Sequence, residues 1–167
     1  MIDSNYCQAM SSYNGWMNDR LYALCADMTD VERKQDRGAF FGSIHLTLNH
    51  ILFGDTIMLA RLTDDFSDVP CNPAEMFADF QDLTAARRAM DARIEQWGAS
   101  VTAEWLRHNL TFISRIDNRS HTLPRWLMTV QMFNHQTHHR GQITTLLSQT
   151  GLDIGTTDIP FMPQYLD

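Results

Sequence analysis

Apolar residues recur in steps of three and four along four long stretches of this chain, and that rhythm leaves few folds open. Tyr6, Met10, Tyr13, Met17, Leu21, Leu24 and Met28 trace one stripe of a helix over residues 4–28. Thr29-Asp30-Val31-Glu32 has the spacing of a capping box, so a short helical turn follows and Asp36-Arg37-Gly38 ends it. Residues 43–62 read as a second long helix, apolar on nearly every face and therefore buried on several sides. Its His45, Asn49, His50 and Asp55 then each need water or a bonded partner. After a polar linker, Asn72-Pro73-Ala74-Glu75 looks like the start of a third helix, with Phe77, Phe80, Leu83, Arg87, Met90, Ile94 and Trp97 as its stripe.

Gly98-Ala99-Ser100 stops that helix, and residues 101–107 add a short turn. Residues 110–115 and 120–123 flank a turn, which fits a small hairpin or an irregular excursion. The fourth helix starts near Pro124, tolerated in a first turn, and ends before Gly151, a suitable left-handed cap. The tail from Leu152, with Pro160 and Pro163, wraps back over the helices. The expected architecture is all-α: one four-helix bundle over residues 1–167, with short extra helices and that hairpin before the last long helix.

Charge and cysteines narrow the partners. Thirteen Lys and Arg against twenty Asp and Glu give a net charge of −7, a field that repels nucleic acid and anionic membranes. Residues 44–62 carry too many polar groups for a bilayer span, and the start has no basic and apolar export pattern, so a cytoplasmic protein is expected. Cys7 and Cys25 share a helix face but lie about 27 Å apart on it, beyond disulfide reach, and with Cys71 they read as free thiols.

The densest chemical signal is Asn134-His135-Gln136-Thr137-His138-His139-Arg140-Gly141-Gln142. His135 and His139 are one turn apart and about 40° around the axis, so both imidazoles can address one ion. Seven histidines give about 0.25 such pairs by chance, so location matters more than spacing. Two imidazoles on a core-facing side lose water cheaply only if something satisfies both lone pairs, as a metal does. His138 lies on the other side of His135, about 60° away. A third ligand would come from the second long helix, where His50 is the natural choice and His45, about 140° around, the competitor. Asn49, Asp55, Asn134 and Gln142 are candidates to orient the imidazoles by hydrogen bonds. Arg140 could pair a substrate carboxylate, though a solvated helix face is the better reading, and Gly54 and Gly141 suggest close helix approach or access beside an ion.

The sequence resembles the DinB family of the DinB/YfiT-like superfamily over nearly its whole length. The resemblance is carried by Tyr13-Asn14-Gly15-Trp16 with Asn18 and Leu21, by Gly38-Ala39-Phe40-Phe41-Gly42-Ser43-Ile44-His45, by Leu48-Asn49-His50-Ile51-Leu52-Phe53-Gly54-Asp55, by residues 133–142, and by Thr157-Asp158-Ile159-Pro160-Phe161. It implies an up-down-down-up bundle that often dimerises, with His50, His135 and His139 on a divalent metal, zinc or nickel. It further implies a metal-dependent enzyme acting on a small molecule. Two routes fit: hydrolysis with metal-bound water, or transfer using a low-molecular-weight thiol as cosubstrate. The alternative is a non-catalytic metal- or ligand-binding bundle.

Overall fold

The computed structural model of the chain describes residues 2–70 and 76–166. Four long helices form among these residues: α1 (Ser4–Ala26), α3 (Ile44–Thr63), α4 (Phe80–Ser100) and α6 (Arg125–Gln149). Two short helices, α2 (Asp30–Lys34) and α5 (Ala103–Arg107), accompany them. No helix of the described residues is long and apolar enough to cross a membrane.

Most helix starts are written in the local sequence. Asp3 accepts from Tyr6 N at 2.9 Å, Ser43 from Leu46 N at 3.1 Å and Thr102 from Trp105 N at 3.1 Å, each side chain satisfying an amide that has no partner inside its helix. The capping box forms: Thr29 N donates to Glu32 Oε2 at 2.7 Å and Glu32 N to Thr29 Oγ1 at 3.3 Å. α6 differs, with Pro124 as its N-cap and no side-chain cap.

Contacts between helices fix their directions. Asn14 and Asn18 of α1 reach Asp91 of α4, and Tyr22 further along α1 stacks on Phe80 at the opposite end of α4, so these two run antiparallel. α3 and α4 run parallel, since Asn49 meets Phe77 just before α4 and Asp55 meets Arg87 within it. α6 is antiparallel to α3 and parallel to α1, because His50 faces His139 while Tyr6 and Asn14 touch Phe133 and Arg140. This is the four-helix bundle expected from the apolar stripes, in the up-down-down-up order that the family resemblance implies. Its core is the shared apolar stripe, with Leu21, Ile44, Leu83, Ile94, Met132, Ile143 and Leu147 fully buried.

The start of the third long helix needs correction. Residues 76–79 are not helical and α4 begins at Phe80, capped by Asp79, which accepts from Gln81 N at 2.7 Å and Asp82 N at 3.1 Å. The backbone just before it is held by Asn49: its Oδ1 accepts from Met76 N and Phe77 N, and its Nδ2 donates to Phe77 O. Asn72, Pro73, Ala74 and Glu75, read as that start, lie with Cys71 outside the described residues.

The hairpin forms as β1 (Asn109–Ile113) and β2 (Ser120–Pro124), antiparallel with Asn109 opposite Pro124 and Ile113 opposite Ser120. The tail packs on α1, as expected. Met162 is 1% exposed against Tyr13 and Met17, the Tyr13 hydroxyl donates to Thr157 O at 2.7 Å, and the Arg20 guanidinium donates to the carbonyls of Ile154 and Thr156.

Candidate metal centre

α3 and α6 cross with three imidazoles between them. His50 Nε2 lies 3.1 Å from His135 Nε2 and 3.1 Å from His139 Nε2, and the three nitrogens all fall within 4.8 Å of one another. Nitrogens bound tetrahedrally at about 2.0–2.1 Å from one ion are about 3.3–3.4 Å apart, so the cluster is close to coordination dimensions.

Burial first, then the neighbouring His139, lowers the His50 pKa to about 4. Burial first, then His139 and His50, lowers that of His135 to about 3, and burial lowers that of His139. All three rings are therefore neutral at pH 7. Converging neutral nitrogens repel through their lone pairs, and a shared proton relieves only one contact at a time. One cation relieves all three, so the residues present fit a divalent ion.

Each ring is positioned differently. His139 Nδ1 donates to Gln142 Oε1 at 2.8 Å, which fixes the tautomer and leaves Nε2 with its lone pair directed at the cluster. His135 Nδ1 is buried without a hydrogen-bond partner among the described residues, and its ring is placed by packing against Gly54. A Cβ at Gly54 would come within 2.5 Å of His135 Cε1. Gly54→Ala should therefore cost metal affinity although alanine favours a helix by about 1 kcal/mol, a split read by comparing metal titration with thermal unfolding. His50 is held by a ring: Phe41 stacks on it at 3.9 Å between centroids and meets His139 edge-on at 5.4 Å.

Phe41 carries the site and was not singled out by spacing. It sits in a tight loop closed by Arg37 N to Gly42 O and Gly42 N to Ala39 O, both 2.8 Å. Gly38 and Gly42 adopt φ of +69° and +78°, where a side chain is strained. Two such glycines bracketing a Phe pair were the available signal.

The other expected residues separate. His45 Nε2 lies 2.8 Å from Phe77 O, away from the cluster, and His138 is exposed. Of the orienting candidates, Gln142 reaches an imidazole. Asn49 instead holds the backbone before α4, Asp55 bonds Arg87 and Gln136, and Asn134 is exposed. Gln142→Leu removes the acceptor of His139 and should weaken metal binding about 10–100-fold by competitive chelator titration.

Arg140, expected on a solvated face, is 3% exposed. It donates to Gln136 Oε1 at 2.8 Å and to Asn14 Oδ1, because its stripe on α6 faces α1. Arg87, in the apolar stripe of the third long helix, pairs at the same depth with Asp55 at 2.5 Å and Asp91 at 2.9 Å. Burial alone would lower the pKa of Arg87, but Asp55 and then Asp91 reverse this and hold it raised. Burial pushes the Asp55 carboxyl up to about 6, and the charge of Arg87 beside it acts in the opposite direction. Gly141, unlike Gly54, has nothing within 4 Å of where a Cβ would stand. Tyr13 is core, and Trp16 packs beneath Arg20 at 4.6 Å.

Known proteins are similar to this chain. The DinB family model matches residues 1–165. The uncharacterized protein YrdA of Bacillus subtilis (strain 168) is 28% identical over 139 residues, covering 81% of this chain and 78% of that protein. The crystal structure of a DinB-like protein from Bacillus cereus ATCC 10987 is similar with a TM-score of 0.58 at 19% identity, over 84% of this chain and 89% of that one.

Proposed function

Because the chain belongs to the DinB family, and from the convergence of its three imidazoles, we propose that it holds one divalent metal ion, zinc or nickel, through His50, His135 and His139. The observation that carries this reading is the pair of 3.1 Å Nε2 separations among neutral rings. Bound there, the ion keeps its full charge and supplies Lewis acidity toward a small-molecule substrate or a low-molecular-weight thiol.

The chain's own groups define the rest. Gln142 holds the His139 tautomer, Gly54 lets His135 approach, and Phe41 covers His50 and excludes water from that side. We place the reaction in one of two classes, thiol-dependent transfer or hydrolysis. A second reading is a metal-holding bundle without catalysis. It is favoured by the partners of the three imidazoles, which among the described residues are one another and an amide, with no carboxylate bonded to them.

Elemental analysis of protein purified without added metal tests the ion, with about one equivalent expected and none overturning the site. A screen of electrophiles with and without small thiols then separates the classes. Thiol-dependent turnover marks a transferase, thiol-independent turnover a hydrolase, and metal without turnover the binding reading.

A further inference from the structure

A second cleft lies at the other end of the bundle, where α3 and α4 end and α6 begins. It has a volume of about 510 Å³ and is walled by Trp97, Trp105, Arg61 and Arg125, with Asp64 at the rim. This is within the about 300–1,000 Å³ typical of small-molecule sites. Eleven residues of α3 and ten of α6 separate it from His50 and His135, about 15 Å along either helix, so it is not part of the imidazole cluster.

Among the described residues its two cations form no ion pair. In a chain of net charge −7, an arginine readily finds a carboxylate, as Arg87, Arg93 and Arg107 do. Arg61 and Arg125 instead rest on aromatic faces, Arg61 4.2 Å over Phe112 and Arg125 4.8 Å over Trp105. Neither is in an ion pair among the described residues, and Arg125 Nε is buried with no hydrogen-bond partner. Burial first, then Arg115 nearby, lowers the Arg61 pKa, as expected for a charge without compensation. Arg125 is also the first residue of α6, whose N-terminal end carries partial positive charge and no side-chain cap. Asp64 is the opposing charge in the cleft wall, and it is exposed to screening solvent.

We propose that this cleft binds a small planar molecule bearing a carboxylate or phosphate group, its anion between the Arg61 and Arg125 guanidiniums and its ring against Trp97 and Trp105. Guanidiniums recognise both oxyanions through the same forked donors, and the indoles supply the apolar wall. The site does not depend on the metal reading.

The test is calorimetric titration of the full-length protein with benzoate, phenyl phosphate and inorganic phosphate, with neutral benzamide as control. Saturable binding of at least one anionic aromatic, tighter than benzamide and weakened by salt, is expected; the ratio of benzoate to phenyl phosphate identifies the preferred oxyanion, and weaker inorganic phosphate shows the contribution of the aromatic wall. Arg61→Gln and Arg125→Gln should each weaken binding about ten- to hundredfold, and Asp64→Asn should tighten it. His50→Ala should leave it unchanged, which separates this site from the metal centre. No saturable binding of any anion, or binding indifferent to all three cleft substitutions, would overturn the proposal.

Discussion

Alanine at any one of His50, His135 and His139 should strip the protein of its divalent ion. The loss of affinity should exceed the about 10–100-fold that follows removal of an outer partner such as Gln142, because a donor atom itself is gone. The readout is elemental analysis after gel filtration, supported by thermal unfolding with and without metal. A ligand at a hundred times its Kd stabilises the native state by about 2.7 kcal/mol, so wild-type protein should gain melting temperature on adding zinc or nickel and the three variants should not. His45→Ala and His138→Ala are the controls. His45 is committed to Phe77 O and His138 is exposed, so both should retain stoichiometric metal. Full metal content in the three alanine variants would end the assignment.

Removing the charge of Arg87 should cost stability on a similar scale by a different route. Arg87 is 1% exposed, donates through Nε to Asp91 at 3.1 Å and through Nη1 to Asp55 at 2.5 Å, and pairs through Nη2 with Asp91 at 2.9 Å. Asp91 also accepts from Asn14 and Asn18, and Asp55 from Gln136, which in turn accepts from Arg140. One network of two arginines and two aspartates thus ties all four long helices. Arg87→Met leaves two buried carboxylates without their shared cation, expected to cost about 3–5 kcal/mol, a large part of the about 5–15 kcal/mol typical of a native domain. The contrast is Arg93→Met. Arg93 meets Asp68 at 2.9 Å, but with 38% and 64% of the side chains exposed, so its loss should cost about 0–1 kcal/mol. Urea unfolding measures both, and equal costs would mean the buried network is not a stabilising unit.

The long helices were legible because their stripes repeat over five or more turns, and the hairpin because turn residues separate two β-prone runs. The start of α4 was misread for a physical reason: capping residues announce a start wherever they occur, but Asn49, twenty-seven residues earlier, claims the backbone of Met76 and Phe77. The imidazole cluster was half legible. The helical period brings His135 and His139 together, but it cannot choose between His50 and His45, which depends on how α3 is rotated against α6. The polar network was invisible for a related reason. Its members are one or two per helix, so no local pattern contains it, and Arg140 read as a surface residue because its partners lie on other helices. The clue was Arg87 among Leu83, Met90 and Ile94, a charge in an apolar stripe that must be neutralised by something buried with it.

The strap formed by the tail has a bearing on biosynthesis. The surface of α1 that receives it, Tyr13, Met17 and Arg20, is translated before Met162, which fills it and follows close to 150 residues further along the chain. Until the tail is made this part of α1 lacks its cover, so packing on that side of the bundle is completed only after residues 154–162 have been synthesised.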